Sequence, residues 1–373
     1  MYLFKNLTIF LKYLLKSKWV FKLPKKNKFV LVDGIHNPFL KYIKKKDFTV
    51  LYRRGEEINF AIFLKCLIQL KFTTLDYFSE FIKQVSPKLI LTSFDYHTIF
   101  YKLSKKTGIK TLALQKGKRG KTEWIFKNRN FFFSKGSKKK FHVDYFFVYS
   151  STVKKFYSKR ISGNFFEIGS FENNFTKPVL SKQKNEVVFI SNFSDATKEK
   201  CENENIIALQ LYELAKKNKL VFRILPRYRN FPQILNKEKK FYNQVLQKKF
   251  KFILRKNTTS YNLLLNYKYI FSTYSSLATE CLAKGMRTGF VMFKSKQNPI
   301  FSLRFGDYEN LENKGPFWCS SNKLDKKEIE RVFKFVTQTN ESKWLKKTNV
   351  YIKKVIGFDY QNKTFRNTIK SYI

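Results

Sequence analysis

Short apolar runs alternate with stretches of helical spacing along the chain from about residue 25 onward. The first runs are nearly continuous in Val, Ile, Leu and Phe, which predicts strands buried on both faces of a parallel sheet, with helices between them. These runs are "KFVLVDG" (28–34), "FTVLYRR" (48–54), "KLILTSFD" (88–95), "KTLALQKG" (110–117) and "VDYFFVYS" (143–150). The pattern therefore predicts an α/β domain over residues 25–178.

A polar segment with a proline, "SFENNFTKPVLSKQKNE" (170–186), interrupts this alternation, and a second series follows it. We predict two doubly wound, Rossmann-like α/β domains, 25–178 and 179–342, that face each other across a cleft. Ligands of open α/β sheets bind beyond the carboxyl ends of the strands, so we expect the site in the cleft. The second series of apolar runs is "VVFISNFS" (187–194), "LVFRILPR" (220–227), "FKFILRK" (250–256), "KYIFST" (268–273) and "RTGFVMF" (287–293).

The two ends of the chain also show helical spacing. Residues 1–24 combine regularly spaced apolar side chains with lysines, which predicts an amphipathic helix that lies on an anionic membrane surface or packs on its own domain. Lys5, Lys12 and Lys16 interrupt the apolar run, so it falls short of the ~20 residues that span a bilayer and does not resemble a signal peptide. The helical spacing of apolar residues in 343–373 predicts a C-terminal helix.

The chain is strongly basic, with 75 Lys and Arg against 27 Asp and Glu and a formal net charge of +48. Such a charge favours nucleic acids, anionic membranes and phosphate-bearing ligands. The cations are scattered instead of forming one block, and Lys, Phe, Asn, Ile and Tyr are enriched together, which indicates compositional drift. No helix-turn-helix, zinc-finger, RRM or KH signature is present, so we expect no nucleic-acid partner.

Cysteine and histidine usage argues against a metal centre. The four cysteines are far apart in sequence and form no C-x-x-C pair, and the three histidines do not show the spacing of a zinc site. The same cysteine pattern indicates a reducing compartment, not a disulfide framework. We therefore expect a protein without a bound metal.

The stretch "YIFSTYSSLATECLAKGMRTGF" (269–290) predicts a strand, a cluster of hydroxyls, a helix and a second strand. Ser275 and Ser276 fall at the start of the helix, where backbone N–H groups and the helix dipole favour a phosphate. Glu280 follows one turn later on the same face, so we expect it to accept hydrogen bonds from ribose or sugar hydroxyls. The alternative is that a serine only caps the helix, although a capping box would place the acid one position earlier. Gly285 is expected to end the helix.

Several segments carry a resemblance to a known class of proteins. Residues 261–291 resemble the nucleotide-binding segment of GT-B glycosyltransferases, and "LALQKGKRG" (112–120) is similar to the Gln-x-Gly turn of their first domain. "EIGSFENN" (167–174) and "FRILPRYRN" (222–230) match in the same order. The nearest group is the surface-carbohydrate (O-antigen or capsule) biosynthesis proteins, distantly similar to CDP-glycerol glycerophosphotransferases and Kdo-type transferases. The resemblance implies a donor site on the second domain, an acceptor site on the first, and a C-terminal helix, 343–373, that returns to the first.

The chain departs from the phosphotransferases at two positions where those relatives often carry histidine. Lys116 precedes the glycine of the first-domain turn, and Arg227 follows Pro226 where a His-Pro pair is common. Cations at these positions bind phosphate but do not replace a neutral general base. We expect Arg227 and Arg229 to bind the donor pyrophosphate, with a basic face of a basic protein as the alternative.

The general base is not fixed by the sequence. Asp95 and His97 lie at the carboxyl end of the predicted strand 88–95, where a side chain faces the cleft, and together with Lys116 they are the predicted catalytic residues. Asp33 and His36 follow the first strand and form a second pair by the same logic. For each of these residues the alternative is a turn-forming aspartate or an ordinary surface histidine.

These observations predict a metal-independent GT-B glycosyltransferase that moves a sugar from a nucleotide-activated donor to a surface polysaccharide, such as lipopolysaccharide, or to a lipid-linked acceptor. No cofactor is expected, because the activated donor is itself a substrate. A CDP-polyol phosphotransferase and a nucleotide-sugar epimerase of the same fold are the enzymatic alternatives. A basic nucleic-acid-binding protein and a non-catalytic membrane scaffold are the alternatives from other classes. We expect a cytoplasmic location, with peripheral binding to the inner membrane.

Overall fold

The fold is mixed α/β, and the described residues form two large sheets and one small one. Apolar runs of four to eight residues form most of the strands, and the amphipathic stretches between them form helices that cover the sheets. The computed structural model describes residues 16–32, 38–53, 55–95, 97–117, 141–177, 183–195, 202–244, 250–254, 258–294, 304–306 and 309–373.

The strands within these residues are β1 (Lys18–Val20), β2 (Phe29–Val32), β3 (Phe48–Leu51), β4 (Glu57–Asn59), β5 (Leu89–Thr92), β6 (Thr111–Leu114), β7 (Phe141–Val148), β8 (Ile161–Glu167), β9 (Lys184–Ile190), β10 (Val221–Leu225), β11 (Lys251–Phe252), β12 (Tyr267–Ser272), β13 (Arg287–Phe293), β14 (Lys314–Gly315) and β15 (Trp318–Ser321).

The helices of the described residues are α1 (Phe60–Ile68), α2 (Thr74–Val85), α3 (Phe100–Thr107), α4 (Ser151–Tyr157), α5 (Glu202–Lys217), α6 (Pro232–Asn243), α7 (Ser260–Leu264), α8 (Ser276–Ala283), α9 (Lys326–Gln338), α10 (Glu341–Val355) and α11 (Lys363–Ile369). Short 3-10 turns are formed by Pro38–Lys41, Lys45–Asp47, Asn173–Phe175 and Tyr360–Asn362. None of the described helices combines the length and apolar character needed to cross a bilayer.

The first sheet is parallel throughout, with strand order β3-β2-β5-β6-β7-β8. Alternate residues of β2 enter different cores: Val30 and Val32 pack with α1 to α4 on one face, and Phe29 and Leu31 pack on the other. That second core includes Phe365 of α11, so the end of the chain covers the first sheet.

The second sheet has the order β11-β10-β9-β12-β13-β15-β14, and only its last pair, β14 and β15, is antiparallel. These two sheets confirm the predicted fold class of two doubly wound, mainly parallel sheets. They fall in the two ranges that the sequence pattern assigns to separate domains, and residues 178–182 of the predicted linker lie outside the described residues.

Each large sheet has one position where the chain reverses its direction of strand addition. In the second sheet the chain runs outward from β9 through β10 to β11 and then returns to place β12 beside β9. In the first it runs from β2 to β3 and returns to place β5 beside β2. The crevice between two strands at such a switch point is where open α/β sheets bind ligands.

The structure corrects the sequence prediction in three places. Residues 18–20 form strand β1, paired in parallel with β4, so the predicted helix over 1–24 is wrong at this end, while residues 1–15 lie outside the described part of the chain. Helical spacing in "EINFAIFLKCLIQLKF" (57–72) predicts an amphipathic helix, but residues 57–59 belong to β4 and the helix begins at Phe60. Strand β8, at the edge of the first sheet, was not predicted, because "ISGNFFE" contains a glycine and three polar residues that weaken a strand pattern.

Candidate functional site

Polar side chains fill the carboxyl end of the second sheet at its switch point. Asn192 follows β9, and its side-chain amide donates to the hydroxyl of Thr273, which follows β12, at 2.7 Å. Thr273 donates to the carboxylate of Glu204 on α5, with 2.9 Å between the oxygens. Tyr242 on α6 donates to the same carboxylate at 2.9 Å. One carboxylate thus ties the ends of two adjacent strands to two helices.

Glu204 is enclosed by protein on all sides. Burial raises the pKa of its carboxyl group from 4.5 to about 7, although hydrogen bonds from Asn192, Tyr242 and Thr273 oppose the shift. The group is therefore divided between its neutral and charged forms near neutral pH. Because the side chain is buried and accepts hydrogen bonds from Asn192, Thr273 and Tyr242, Glu204 positions the strand ends.

The loop after β10 brings Arg227 to the same end of the sheet. Its exposed guanidinium donates to the backbone carbonyls of Asn192 and Phe193, each at 3.4 Å. Buried Glu238 holds the loop, because its carboxylate accepts from the backbone N–H groups of Arg227 at 2.9 Å and Tyr228 at 3.1 Å. A guanidinium has five N–H donors, so these contacts leave Arg227 with donors for a ligand.

Arg229 takes a different position from Arg227. Its guanidinium donates to the backbone carbonyl of Thr258, before α7, at 2.7 Å. Burial lowers the pKa of this guanidinium below its usual value. Arg229 therefore connects two loops at the rim of the sheet, and Arg227 is the better placed of the two for a ligand.

Helix α8 begins beside this network. Ser275 occupies its N-cap position, yet the Ser275 hydroxyl makes no capping hydrogen bond, and its backbone N–H donates to the Ser272 hydroxyl at 3.2 Å. Ser276 is the first helical residue and is half-buried. The first N–H groups of α8 are therefore not used by a serine cap, and they are oriented to receive an anion. Gly285, with φ 78°, follows the C-cap as predicted.

Glu280, the predicted partner of sugar hydroxyls, lies in the interior instead. Its carboxylate accepts from Tyr149 at 3.0 Å, and the hydroxyls of Ser170 and Tyr261 also contact it. The Glu280 carbonyl accepts from the Asn173 side chain at 2.8 Å. Burial raises the pKa of this carboxyl group to about 7. Because α8 lies under residues that precede β9, Glu280 joins the two halves of the chain and does not face the helix start.

A second polar contact reinforces this junction. Lys284, one turn after Glu280, donates to the Thr176 hydroxyl at 2.9 Å. Burial lowers the pKa of the Lys284 ammonium group. The spacing of four residues puts Glu280 and Lys284 one turn apart on the same side of the chain. It could not show that this face is covered by Tyr149, Asn173 and Thr176, which are more than 100 positions away.

Asp95 lies at the carboxyl end of β5, close to the switch point of the first sheet, and is fully buried. One carboxylate oxygen accepts from Tyr157 at 2.7 Å, and the other accepts from the backbone N–H of Lys116 at 3.3 Å. Both oxygens therefore have protein partners, and Asp95 fixes the turn that carries Lys116. This is the turn-forming role that the sequence left open as an alternative.

His97 and Lys116 lie near a cluster of cations and aromatic rings. The Lys116 ammonium group lies 4.0 Å from the centre of the Phe94 ring, and the Arg53 guanidinium lies 5.2 Å from the same centre. Burial and Arg53 lower the pKa of His97 to about 3, so its imidazole is neutral at neutral pH. Its Nδ1 atom is buried and has no hydrogen-bond partner in the described part of the chain. Asp33 and His36 lie outside the described residues.

The structure thus brings together Arg227, Ser275 and Ser276 on the second sheet, and His97 and Lys116 on the first. Sequence reasoning missed Asn192, Glu204 and Glu238, which organise the second group. Asn192 could have been found from its place directly after a predicted strand. Glu204 and Glu238 lie on helices, where an acidic residue gives no sign of being buried.

A family model described as "putative O-antigen biosynthesis protein" matches residues 112–373, more than half of the chain. The chain belongs to this O-antigen biosynthesis family. The match includes all but the first residue of β6, the strands β7 to β15 and the residues at the switch point of the second sheet. No curated protein matches the sequence.

Several solved structures resemble this O-antigen biosynthesis family member. The pneumococcal O-GlcNAc transferase GtfA, in complex with UDP and GlcNAc, aligns with a TM-score of 0.44 and 12% identity over 80% of the chain, which spans only 60% of GtfA. The wall teichoic acid polymerase TagF aligns with a TM-score of 0.48 and 12% identity over 94% of the chain and 89% of TagF. A glycosyltransferase from Rickettsia africae aligns with a TM-score of 0.48 and 15% identity over 92% of the chain and 89% of its own length. All three TM-scores are below 0.5, so these structures assign no activity to the family member.

Proposed function

We propose that the protein is a GT-B glycosyltransferase that moves a sugar from a nucleotide-activated donor to a surface polysaccharide or lipid-linked acceptor during O-antigen synthesis. The observation that carries the proposal is the switch point of the second sheet. Arg227 contacts the carbonyl of Asn192, Asn192 contacts Thr273, and two residues later Ser275 begins the turn into α8. A guanidinium and a helix start without a serine capping bond therefore follow strands on either side of β9, an arrangement that suits a diphosphate.

The donor diphosphate would lie between Arg227 and the first N–H groups of α8. Bond cleavage leaves negative charge on the nucleoside diphosphate, and fixed cations and dipoles stabilise a charge that develops in the transition state. Ser275 and Ser276 supply additional hydroxyl donors. We assign no donor contact to Glu280, because its carboxylate accepts from Tyr149 in the interior. No metal and no cofactor are needed in this proposal.

The acceptor would approach from the first sheet. Lys116 and Arg53, which both lie close to the Phe94 ring, suit an acceptor that carries phosphate or another anion. His97 is neutral there and its buried Nδ1 atom has no partner in the described part of the chain, but a pKa of about 3 makes it a weak base, so we assign the acceptor proton to no single residue. Asp95 positions the Lys116 turn.

The partners in this proposal are a nucleotide-activated sugar and a lipid-linked or polysaccharide acceptor, used on the cytoplasmic face of the inner membrane. The first test is binding of UDP, GDP, CDP, CMP and dTDP, measured by thermal shift and calorimetry at moderate salt, because a ligand of the native state raises the melting temperature. The Arg227→Ala variant should lose about tenfold or more in affinity for the preferred nucleoside diphosphate, since a hydrogen bond to a charged group contributes about 1.5–3 kcal/mol.

The matched control is Arg366→Ala, which removes the same charge from an exposed position on α11. Equal losses in both variants, or equal binding of all nucleotides that disappears with added salt, would show that net charge attracts phosphate and that the switch point is not a site. Selective binding of CDP or CMP would favour the CDP-polyol phosphotransferase. Tight, salt-sensitive binding of DNA or RNA with no nucleotide selectivity would favour the nucleic-acid-binding alternative.

A further inference from the structure

The first half of the chain exposes a continuous set of large apolar side chains. We define the apolar surface as Phe21, Phe60, Leu64, Ile68, Leu70 and Phe72. Ile68 is 75% exposed, Leu70 77%, Phe21 72% and Phe72 69%. Single exposed apolar residues are common on proteins, but a group contributed by neighbouring elements marks a binding surface.

Two elements build this surface together. Strand β1 pairs with β4, which leads directly into α1, and the Asn59 side chain donates to the carbonyl of Lys22 at 2.8 Å. The rings of Phe21 and Phe60 lie 5.3 Å apart between their centres. The chain beyond Val20 is thereby held against the start of α1, so Phe21 lies beside Phe60, and Leu64 and Ile68 follow at four-residue spacing along the same side of the helix.

Helix α1, "FAIFLKCLI", is apolar on nearly all sides. Its inward side chains Ile62 and Cys66 enter the core of the first half. Its outward positions include Leu64 and Ile68, where a surface helix normally carries polar residues. The sequence prediction of an ordinary amphipathic helix at 57–72 is therefore wrong for the outer face. Helices that are apolar all round lie in a large core or contact lipid.

Lysines surround the apolar surface. Lys22, Lys25 and Lys26 are exposed directly after Phe21, in the sequence "FKLPKK". On the other side, Lys65, Lys71 and Lys83 all approach the single carboxylate of Glu80, within 2.9 to 3.3 Å. Three cations share one acid there, so this edge also stays positive. Apolar side chains bordered by lysines match a lipid surface with anionic headgroups.

We infer that the apolar surface of β1 and α1 docks the protein on an anionic membrane, with the apolar side chains in the headgroup region and the lysines against lipid phosphates. A second copy of the chain is a weaker match, because two such surfaces would bring their lysines together. Arg53 lies in the sequence between β3 and α1, the helix that carries most of the apolar surface. Docking would therefore bring the proposed acceptor side of the cleft near the lipid. The inference does not depend on the proposed sugar transfer.

The test is flotation of the full-length protein with vesicles of phosphatidylethanolamine and phosphatidylglycerol, compared with pure phosphatidylcholine vesicles. The Leu64→Gln/Ile68→Gln variant should bind anionic vesicles at least about tenfold more weakly, because each side chain loses apolar contact with lipid. The matched control is Leu345→Gln/Val350→Gln, which makes the same kind of change at exposed positions of α10. The control should bind like the unmodified protein.

Equal binding by both double variants would overturn the inference, because charge alone, or another segment, would then hold the protein on lipid. A concentration-dependent dimer in light scattering that the α1 variant abolishes, without binding of the unmodified protein to vesicles, would assign the surface to a second copy and also overturn it. Nucleotide binding, measured by thermal shift in the same variants, should be unchanged. This keeps failure of the docking inference separate from failure of the proposed transferase.

Discussion

Two buried carboxyl groups, Glu204 and Glu280, have similar environments and different roles. Burial raises the pKa of each to about 7. Glu204 holds the ends of β9 and β12 together through Asn192 and Thr273, whereas Glu280 joins α8 to Tyr149 in the first half. In sequence each is only an acidic residue on a helix. Their burial, and not their identity, determines their protonation.

The pKa of Glu204 predicts a pH dependence of stability. The unfolded chain loses this proton near pH 4.5 and the folded chain keeps it until about pH 7. The folded state therefore binds more protons between these values, and stability should fall as the pH rises through this window. Glu204→Gln cannot ionise, so its stability relative to the unmodified protein should rise by on the order of 3 kcal/mol between pH 4 and pH 8.

The measurement is urea unfolding of both proteins at several pH values. Glu213→Gln is the control, because it lies on the same helix α5 and is exposed, and it should show no such change. A difference between Glu204→Gln and the unmodified protein that is the same at pH 4 and pH 8 would mean that Glu204 keeps one protonation state throughout.

At the scale of elements, three helix starts differ in their N-cap residues. Ser150 and Thr259 cap their helices, whereas the Ser275 hydroxyl makes no capping hydrogen bond. Ser150 caps α4, because its hydroxyl accepts from the N–H of Val153. Thr259 caps α7 in the same way through Asn262. Ser275 stands at the same position of α8 and makes no such bond. An N-cap serine without a capping bond, at the switch point of a sheet, is typical of a helix start that receives a ligand.

Replacement of Ser150 by alanine should therefore mainly lower stability, whereas replacement of Ser275 by alanine should mainly lower nucleotide affinity. Ser150→Ala should cost about 1 kcal/mol of stability, the usual loss for an N-cap hydroxyl, and leave nucleotide affinity unchanged. Ser275→Ala should cost only a few tenths of a kcal/mol and weaken nucleoside diphosphate binding about two- to tenfold. Urea unfolding and calorimetry measure the two quantities. A stability loss of about 1 kcal/mol for Ser275→Ala, with normal binding, would restore the simple capping role.

At the scale of the whole molecule, the C-terminal segment connects the two halves. Helix α10 contributes Trp344 to the core of the second half, and α11 contributes Phe365 to the core under the first sheet. Between them the backbone N–H of Gly357 donates to the carbonyl of Tyr149 at 2.6 Å. Gly169, with φ 74°, is required at this crossing, since a Cβ there would lie 1.9 Å from the Gly357 carbonyl oxygen.

This arrangement predicts that α11 stabilises the first half of the chain, although the two are far apart in sequence. Phe365 is fully buried and its ring packs against Phe39 and Phe171, with centre distances of 5.7 and 4.8 Å. Phe365→Ala should cost about 3–5 kcal/mol, because it removes a large side chain and leaves a cavity. Phe21→Ala, at an exposed phenylalanine, should change stability by less than about 0.5 kcal/mol.

Calorimetry can follow the unfolding of the two variants. The Phe365→Ala protein should lose the first half at a lower temperature than the second, seen as a broadened or split transition. Equal stability of the two variants would show that α11 does not contribute to the core of the first sheet.

Most of the elements could be predicted from sequence, because their signals are local. Continuous apolar runs predicted β2, β5, β6 and β13, and the last of these matches its predicted bounds at both ends. Local sequence patterns did not predict the structure where the pairing of a short strand or the exposure of a helix face decides it. Strand β1 has three residues and forms because β4 is available beside it. The outer face of α1 has an apolar pattern that describes a buried helix equally well.

Hydrophobic period and turn chemistry between neighbouring residues were enough to predict, from the sequence alone, the two doubly wound sheets, the strand ends at Arg227 and Thr273, and the helix start at Ser275. Long-range packing decided instead that Glu280 lies buried under Tyr149, that the Asp95 carboxylate accepts from the backbone of Lys116, and that the outer face of α1 is exposed. These outcomes depend on which distant surfaces cover a side chain. Burial of that kind fixes pKa, hydrogen-bond partners and access to ligand, and no local pattern encodes it.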